Sequence, residues 1–199
     1  SDDQYKWVLE ADDDNNKNNI IVHFRYNKLV LRFFQSTGNS QRAWYIDQPS
    51  EMTNKWTHFV ITYNSDRIQD APTVYVNTVR QTMEDNNNGT SSGPAGQIAG
   101  RMALMGNDQY DTHELQGAMQ DFAWYNTQLN QIQVNEVYEY EDLVKAPSVS
   151  SNIILYWPLG SNNVPVGAKI PKGTKILPAL GTTTLTTPSS LSAVDGRGK

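Results

Sequence analysis

Leu115-Gln116-Gly117-Ala118-Met119-Gln120-Asp121-Phe122-Ala123-Trp124-Tyr125-Asn126 reads as a strand entered through a glycine and left through a turn. Successive side chains of a strand point to opposite faces, so Phe122 and Trp124, two apart, share one. Met119 falls out of that register, and a local bulge near Gln120 reconciles the two runs. The period then changes. In residues 127–138 the apolar positions Leu129, Ile132, Val134, Val137 and Tyr138 approximate a helical stripe, so a short amphipathic helix is expected after the strand.

Working outward, Tyr5 to Glu10 is a first strand, ended by Asp12-Asp13-Asp14-Asn15-Asn16-Lys17-Asn18-Asn19, a run of turn formers. Ile20 to Tyr26 and Leu29 to Gln35 are β-rich runs around Asn27-Lys28, a connection short enough for a tight hairpin in which Asn27 tolerates positive φ. Val22, Phe24 and Tyr26 fall on one face and Ile21, His23 and Arg25 on the other, the pattern of a half-buried antiparallel sheet. Arg42 to Asp47 is a further strand with Trp44 and Ile46 on one face. In Trp56-Thr57-His58-Phe59-Val60-Ile61-Thr62-Tyr63 the residues Phe59, Ile61 and Tyr63 are expected to face the core. Asn64 to Pro72 is a polar loop. Thr73 to Asn77 and Val79 to Thr82 pair as a hairpin, residues 84–96 form a long polar surface loop, Arg101 to Met105 is a strand, and Gly106 to Glu114 is a second acidic, amide-rich loop. Some ten short strands with turn signals between them, and one short helix, describe an all-β fold: a two-sheet antiparallel jelly-roll sandwich.

Trp56 to Tyr63, Val74-Tyr75-Val76-Asn77, Leu104-Met105-Gly106-Asn107 and Gly117 to Asn126, in that order, resemble the laminin-G-like members of the concanavalin A-like lectin/glucanase superfamily. The resemblance covers roughly residues 5–140. The family usually carries glycine where this chain has Thr78, which leaves the turn type open but not the hairpin.

From Ala146 the texture changes: Pro, Ser and Thr become frequent and charge thins out. Ile153-Ile154-Leu155-Tyr156-Trp157-Pro158-Leu159 is strongly β-prone. It either completes the same sandwich or begins a second module. The former gives a sandwich over residues 1–159 and an extended C-terminal arm over 160–199, whose short apolar pieces can each dock on a neighbour.

Composition excludes several classes. With 38% apolar and 10% aromatic residues among 199, a real core can form, so wholesale disorder is not expected. The formal net charge is −5, with Lys and Arg scattered singly, which argues against a nucleic-acid partner. There is no cysteine, hence no disulfide, zinc–thiolate site or thiol nucleophile. No apolar run approaches a membrane span, so no membrane insertion is expected. The first residue is Ser1 rather than methionine, as in a processed product or a fragment.

Catalytic patterns are missing. Glycosidases of the resembled superfamily use an E-x-D-x-E strand whose acids share a face. The nearest runs, Glu139-Tyr140-Glu141-Asp142 and Glu10-Ala11-Asp12-Asp13-Asp14, have the wrong spacing or no partner acid. His23, His58 and His113 form no metal-binding pair. The chain is therefore read as a non-enzyme.

The resemblance implies Ca²⁺ at a sandwich rim, held by Asp, Asn and backbone oxygens. Asp12 to Asn16 is one candidate, and Asn107, Asp108 and Asp111 another; the bland alternative for both is a solvated turn. Sugars stack on aromatic rings and need amides or carboxylates for their hydroxyls. Tyr110, between Asp108 and Asp111, with Asn107, Tyr45 and Tyr75, are the ligand-binding candidates; packing on a strand face is the alternative for Tyr45 and Tyr75. Asn88-Gly89-Thr90 is a glycosylation sequon in an exposed loop. Two functions fit: a non-catalytic glycan or surface-recognition module acting through rim loops, or a structural protein, such as a virion decoration or spike component, whose arm contacts neighbouring subunits. Either places the chain outside the cell, on a cell surface or on a virion.

Overall fold

The structure is a computed structural model. It describes residues 5–12, 18–35, 41–47, 55–86, 93–95, 103–105, 115, 117–140, 142–157, 169–170, 175–176, 185–186 and 191–192. The chain forms two compact units, Ser1–Gln116 and Gly117–Lys199.

The first unit is built on a meander. Strands β1 (Lys6–Asp12), β2 (Asn18–Arg25), β3 (Lys28–Phe34) and β4 (Gln41–Asp47) pair antiparallel with their sequence neighbours. Edge strands β8 (Glu84–Asp85) and β9 (Ala103–Met105) extend this to a six-stranded sheet in the order β8-β4-β3-β2-β1-β9. A second sheet holds β5 (Phe59–Thr62), β6 (Thr73–Val76) and β7 (Val79–Arg80).

The two sheets meet through rings. Phe33 of β3 stacks on Tyr63 with centroids 3.8 Å apart, Trp44 of β4 lies 6.4 Å from the same ring, and Phe24 of β2 meets Phe59 edge-on at 6.4 Å. Leu29, Leu31, Phe33, Trp44 and Ile46 are buried on this inner face, and each such side chain contributes about 1.5–3 kcal/mol. The assignment of Phe59 and Tyr63 to the core side of their strand therefore agrees with the packing.

Two hairpins of this unit turn in two residues with positive φ. Tyr26 and Asn27 (φ 48° and 57°) join β2 to β3, and Asn77 and Thr78 (φ 46° and 71°) join β6 to β7. This is the mirror-image turn whose twist suits paired strands. Tyr26, read as a strand residue, belongs to the turn.

The 64–72 loop is less polar than its sequence suggests, because Ile68 is fully buried. Its N–H donates to the Gly93 carbonyl at 2.7 Å, and Ala95 N–H donates to Ser65 O at 2.8 Å. Gly93 has φ 124°, a backbone conformation that residues with a side chain adopt only under strain. Residues 84–85, expected in a loop, instead pair with Trp44 and Tyr45, and Arg42 bridges to Asp85 at 2.8 Å.

In the second unit, β10 (Phe122–Tyr125) pairs antiparallel with β11 (Ile153–Trp157), and Phe122 packs on Trp157 at 5.6 Å. Asp121, just before β10, has positive φ (52°), and its carboxylate accepts from Tyr156 Oη and Gln120 Nε2, both at 3.0 Å; the register of the pair shifts later, between Trp124 and Tyr125. Helix α1 (Gln131–Glu139) starts in a capping box: Asn130 Oδ1 accepts from Gln133 N–H, and Gln133 Oε1 from Asn130 N–H, both at 3.0 Å. Val134 and Val137 are buried, but Ile132 is 76% exposed. Ile132 and Val134 are two helical steps apart, about 200°, and cannot share a face. The stripe thus omits Ile132. Glu136 accepts from the backbone N–H and hydroxyl of Ser148, tying the helix to the following turn.

Further on, β12 (Lys169–Ile170) pairs with β15 (Leu191–Ser192), and β13 (Lys175–Ile176) with β14 (Leu185–Thr186). Ile170 faces Leu191; six residues on, Ile176 faces Leu185, six residues back. Both ladders follow one antiparallel register, so these pieces of the expected extended arm pair with each other.

Candidate functional site on the outer face of the six-stranded sheet

The face of the six-stranded sheet turned away from the inner core is unusually polar. Its side chains fall into rows set by the register. Arg25, Lys28 and Asp47 form one row across β2, β3 and β4. Trp7, His23, Val30, Tyr45 and Glu84 form the next across five strands. Glu10, Ile21, Arg32 and Ala43 form the third. Simple alternation puts Trp7 and Glu10 on opposite faces. The register shift between Trp7 and Leu9, with Val8 as the extra residue, brings them to the same one.

Exposure grows along this face. Glu10 and His23 are 2% and 1% exposed. Tyr5 and Trp7 lie against the His23 imidazole, centroids 5.0 and 5.6 Å away. Toward the Tyr26–Asn27 turn the rows open. The Arg25 guanidinium sits over the Tyr5 ring at 4.5 Å and over the Tyr26 ring at 4.8 Å. Lys28 Nζ stands 3.7 Å from the Tyr45 ring centroid and 2.9 Å from Asp47 Oδ1. The hydrogen bond to Asp47 raises the Lys28 pKa above its ordinary value. Glu84, accepting from the Tyr45 hydroxyl, raises the phenol's pKa. Three tyrosine rings are thus held in place by two cations and two carboxylates, each within hydrogen-bond or cation–π reach of its neighbour.

Of the residues expected from sequence, Tyr45 belongs to this cluster. Tyr75 does not: it lies on β6 in the other sheet, paired with Val60 and Arg80, and is 7% exposed. Asn107, Asp108, Tyr110 and Asp111 lie outside the described residues, as do residues 13–16 of the first calcium candidate and the sequon. Among the described residues no group of three or more His, Asp or Glu could hold a metal ion, and no helix is long and apolar enough to cross a membrane. His58 is largely buried, and burial lowers its pKa to about 4. Sequence reasoning missed Tyr5, Arg25, Tyr26 and Lys28 as a group. Their signal was the interleaving of aromatic and basic residues about a two-residue turn.

The outer-face carboxylates do not make a glycosidase pair. Glu10 on β1 is three strand spacings from Asp47 on β4, at least about 14 Å, beyond the reach of either hydrolytic geometry. Asp47 and Glu84 are diagonal neighbours, but both are exposed, without the apolar pocket that a general acid needs.

The comparison with known families agrees with the fold. A laminin-G-type family profile, described as the concanavalin A-like lectin/glucanases superfamily, matches residues 1–135. No curated protein matches the chain. A six-stranded sheet packed on a second antiparallel sheet and the profile's span across most of the chain lead to one conclusion: the chain belongs to the concanavalin A-like lectin/glucanase superfamily, with a laminin-G-like sandwich.

Proposed function

We propose that the protein is a non-catalytic glycan-recognition module acting at the open end of its outer sheet face. The observation that carries this reading is the Tyr5–Arg25–Tyr26 and Lys28–Tyr45 cluster. Rings fixed in place offer flat apolar surface at little entropic cost, and the flanking charges and amides suit hydroxyl groups. Ca²⁺ at Asn107, Asp108 and Asp111 is a second element of the proposal. It would add a cation that draws sugar hydroxyls to the rim.

A glycan array probed with the full chain, with and without chelator, tests both parts. Binding that Tyr45→Ala or Lys28→Ala weakens tenfold or more supports the sheet-face site. Binding abolished by chelator and restored by calcium supports the metal. An array with no bound glycan under either condition overturns the reading.

One observation favours a second function, assembly with neighbouring subunits. In the second unit Ile132, Tyr138, Tyr140, Val144 and Ile154 are all exposed, with Ile154 at 51%. A contiguous exposed apolar patch marks a contact surface, and these side chains are the candidates to supply one. In that reading the arm over 160–199 contributes to the contact. A monomer at high concentration by light scattering sinks it.

A further inference from the structure

We infer that the Tyr26–Asn27 turn is the primary sugar contact and that it selects a neutral pyranose. This rests on the recognition reading above. A two-residue turn of this kind needs positive φ at both central positions, where Asn and Gly are favoured. Asn27 conforms. Tyr26 does not: its φ is 48°, a conformation that an aromatic residue adopts only at a conformational cost. Burial does not offset the cost, since the side chain is 61% exposed. A residue strained and exposed at once is one the fold alone would not select, and such outliers gather where ligands are held.

The surroundings say what the ring can do. Arg25 lies over it at 4.8 Å, and one guanidinium can cover only one face of a ring. The contact fixes the ring's orientation and leaves the other face for the C–H face of a sugar. Asn27 is exposed beside it and carries two amide donors and a carbonyl acceptor, a match for vicinal hydroxyls. The nearest cations are engaged: Lys28 with Asp47 and the Tyr45 ring, and Arg25 with the faces of two rings. The tip therefore presents an apolar face and a neutral amide, on a chain whose formal charge is −5. That combination suits an uncharged hexose rather than an acidic one.

The test is a paired measurement of binding and melting on the full chain. Neutral oligosaccharides are compared on the array with uronate- and sialate-bearing ones. Tyr26→Asn, which restores the preferred turn residue, should keep or raise the melting temperature while weakening binding of neutral glycans by about tenfold or more. Tyr26→Phe should retain binding. Thr78→Gly relieves the same strain at the other hairpin and should leave binding unchanged. Two results overturn the inference and leave the recognition reading standing: undiminished binding by Tyr26→Asn, or binding confined to acidic glycans. An array with no bound glycan overturns the recognition reading itself.

Discussion

His58 and Asn77 hold each other by two hydrogen bonds: Asn77 N–H donates to the His58 carbonyl, and His58 N–H donates to Asn77 Oδ1, both at 2.9 Å. The side chain of a turn residue thus continues the ladder between β5 and β6 by one more step. The same turn carries Thr78, a β-branched residue at φ 71°. Thr78→Gly removes that strain, and the gain outweighs the extra freedom of glycine in the unfolded chain. Chemical denaturation should show stabilisation by about 1 kcal/mol. Asn77→Ala should cost about 1–2 kcal/mol, because the His58 N–H loses its acceptor and alanine tolerates φ 46° less well than asparagine.

The imidazole of His58 gives a pH dependence. Burial lowers its pKa from 6.5 to about 4. As pH falls below 6.5, the unfolded chain takes up a proton that the folded chain refuses until pH 4. Stability is therefore fully present above pH 6.5 and declines through that window, by on the order of 3 kcal/mol in total. Melting curves from pH 7 to 4 should show the decline, and His58→Gln should flatten that part of it.

Across the inner core, the Phe33–Tyr63 stack links the two sheets. Phe33→Ala should cost about 3–5 kcal/mol, as a large ring is lost from a packed site. The Tyr63 hydroxyl is buried without a hydrogen-bond partner, and burial raises its pKa well above the ordinary tyrosine value. Tyr63→Phe keeps the ring and removes the stranded hydroxyl, so it should be neutral or stabilising by about 1 kcal/mol. A clear destabilisation in urea titrations would show that the hydroxyl is satisfied in solution.

In the second unit, the capping box predicts that Asn130→Ala loses about 1 kcal/mol, read from the midpoint of thermal or urea unfolding. Gln133 adds to the cap, and its amide also donates to the Ser148 carbonyl at 3.1 Å. Gln133→Ala should therefore cost at least as much as Asn130→Ala.

Much of the fold was legible because alternation is a physical consequence of the pleat. Val22 and Phe24, Trp44 and Ile46, Phe59 and Tyr63 all declared their faces in sequence. The failures have specific causes. Counting by twos breaks at Val8, so nothing in the sequence said that Trp7 and Glu10 lie together. Ile68 was hidden in a polar stretch because one anchoring side chain leaves no periodicity. Ile132 lies off the helical stripe because two helical steps turn it about 200° from Val134. The site was legible in part. Tyr45 stood out as a ring on a half-open strand, while Arg25 and Tyr26 became neighbours of Tyr5 only once β1 was paired with β2. Asn107, Asp108, Tyr110 and Asp111 fall outside the described residues.

The meander of β1 to β4 has a kinetic consequence. The three pairings β1–β2, β2–β3 and β3–β4 join sequence neighbours, so the centre of the large sheet forms by closing short loops. The edges β8 and β9 join only after chain has travelled from residue 47 to 84 and from 12 to 103. Low sequence separation favours early contact, which predicts that residues 6–47 pair early in folding. The platform that carries Arg25, Lys28 and Tyr45 would then be assembled while the rest of the chain is still searching for its place.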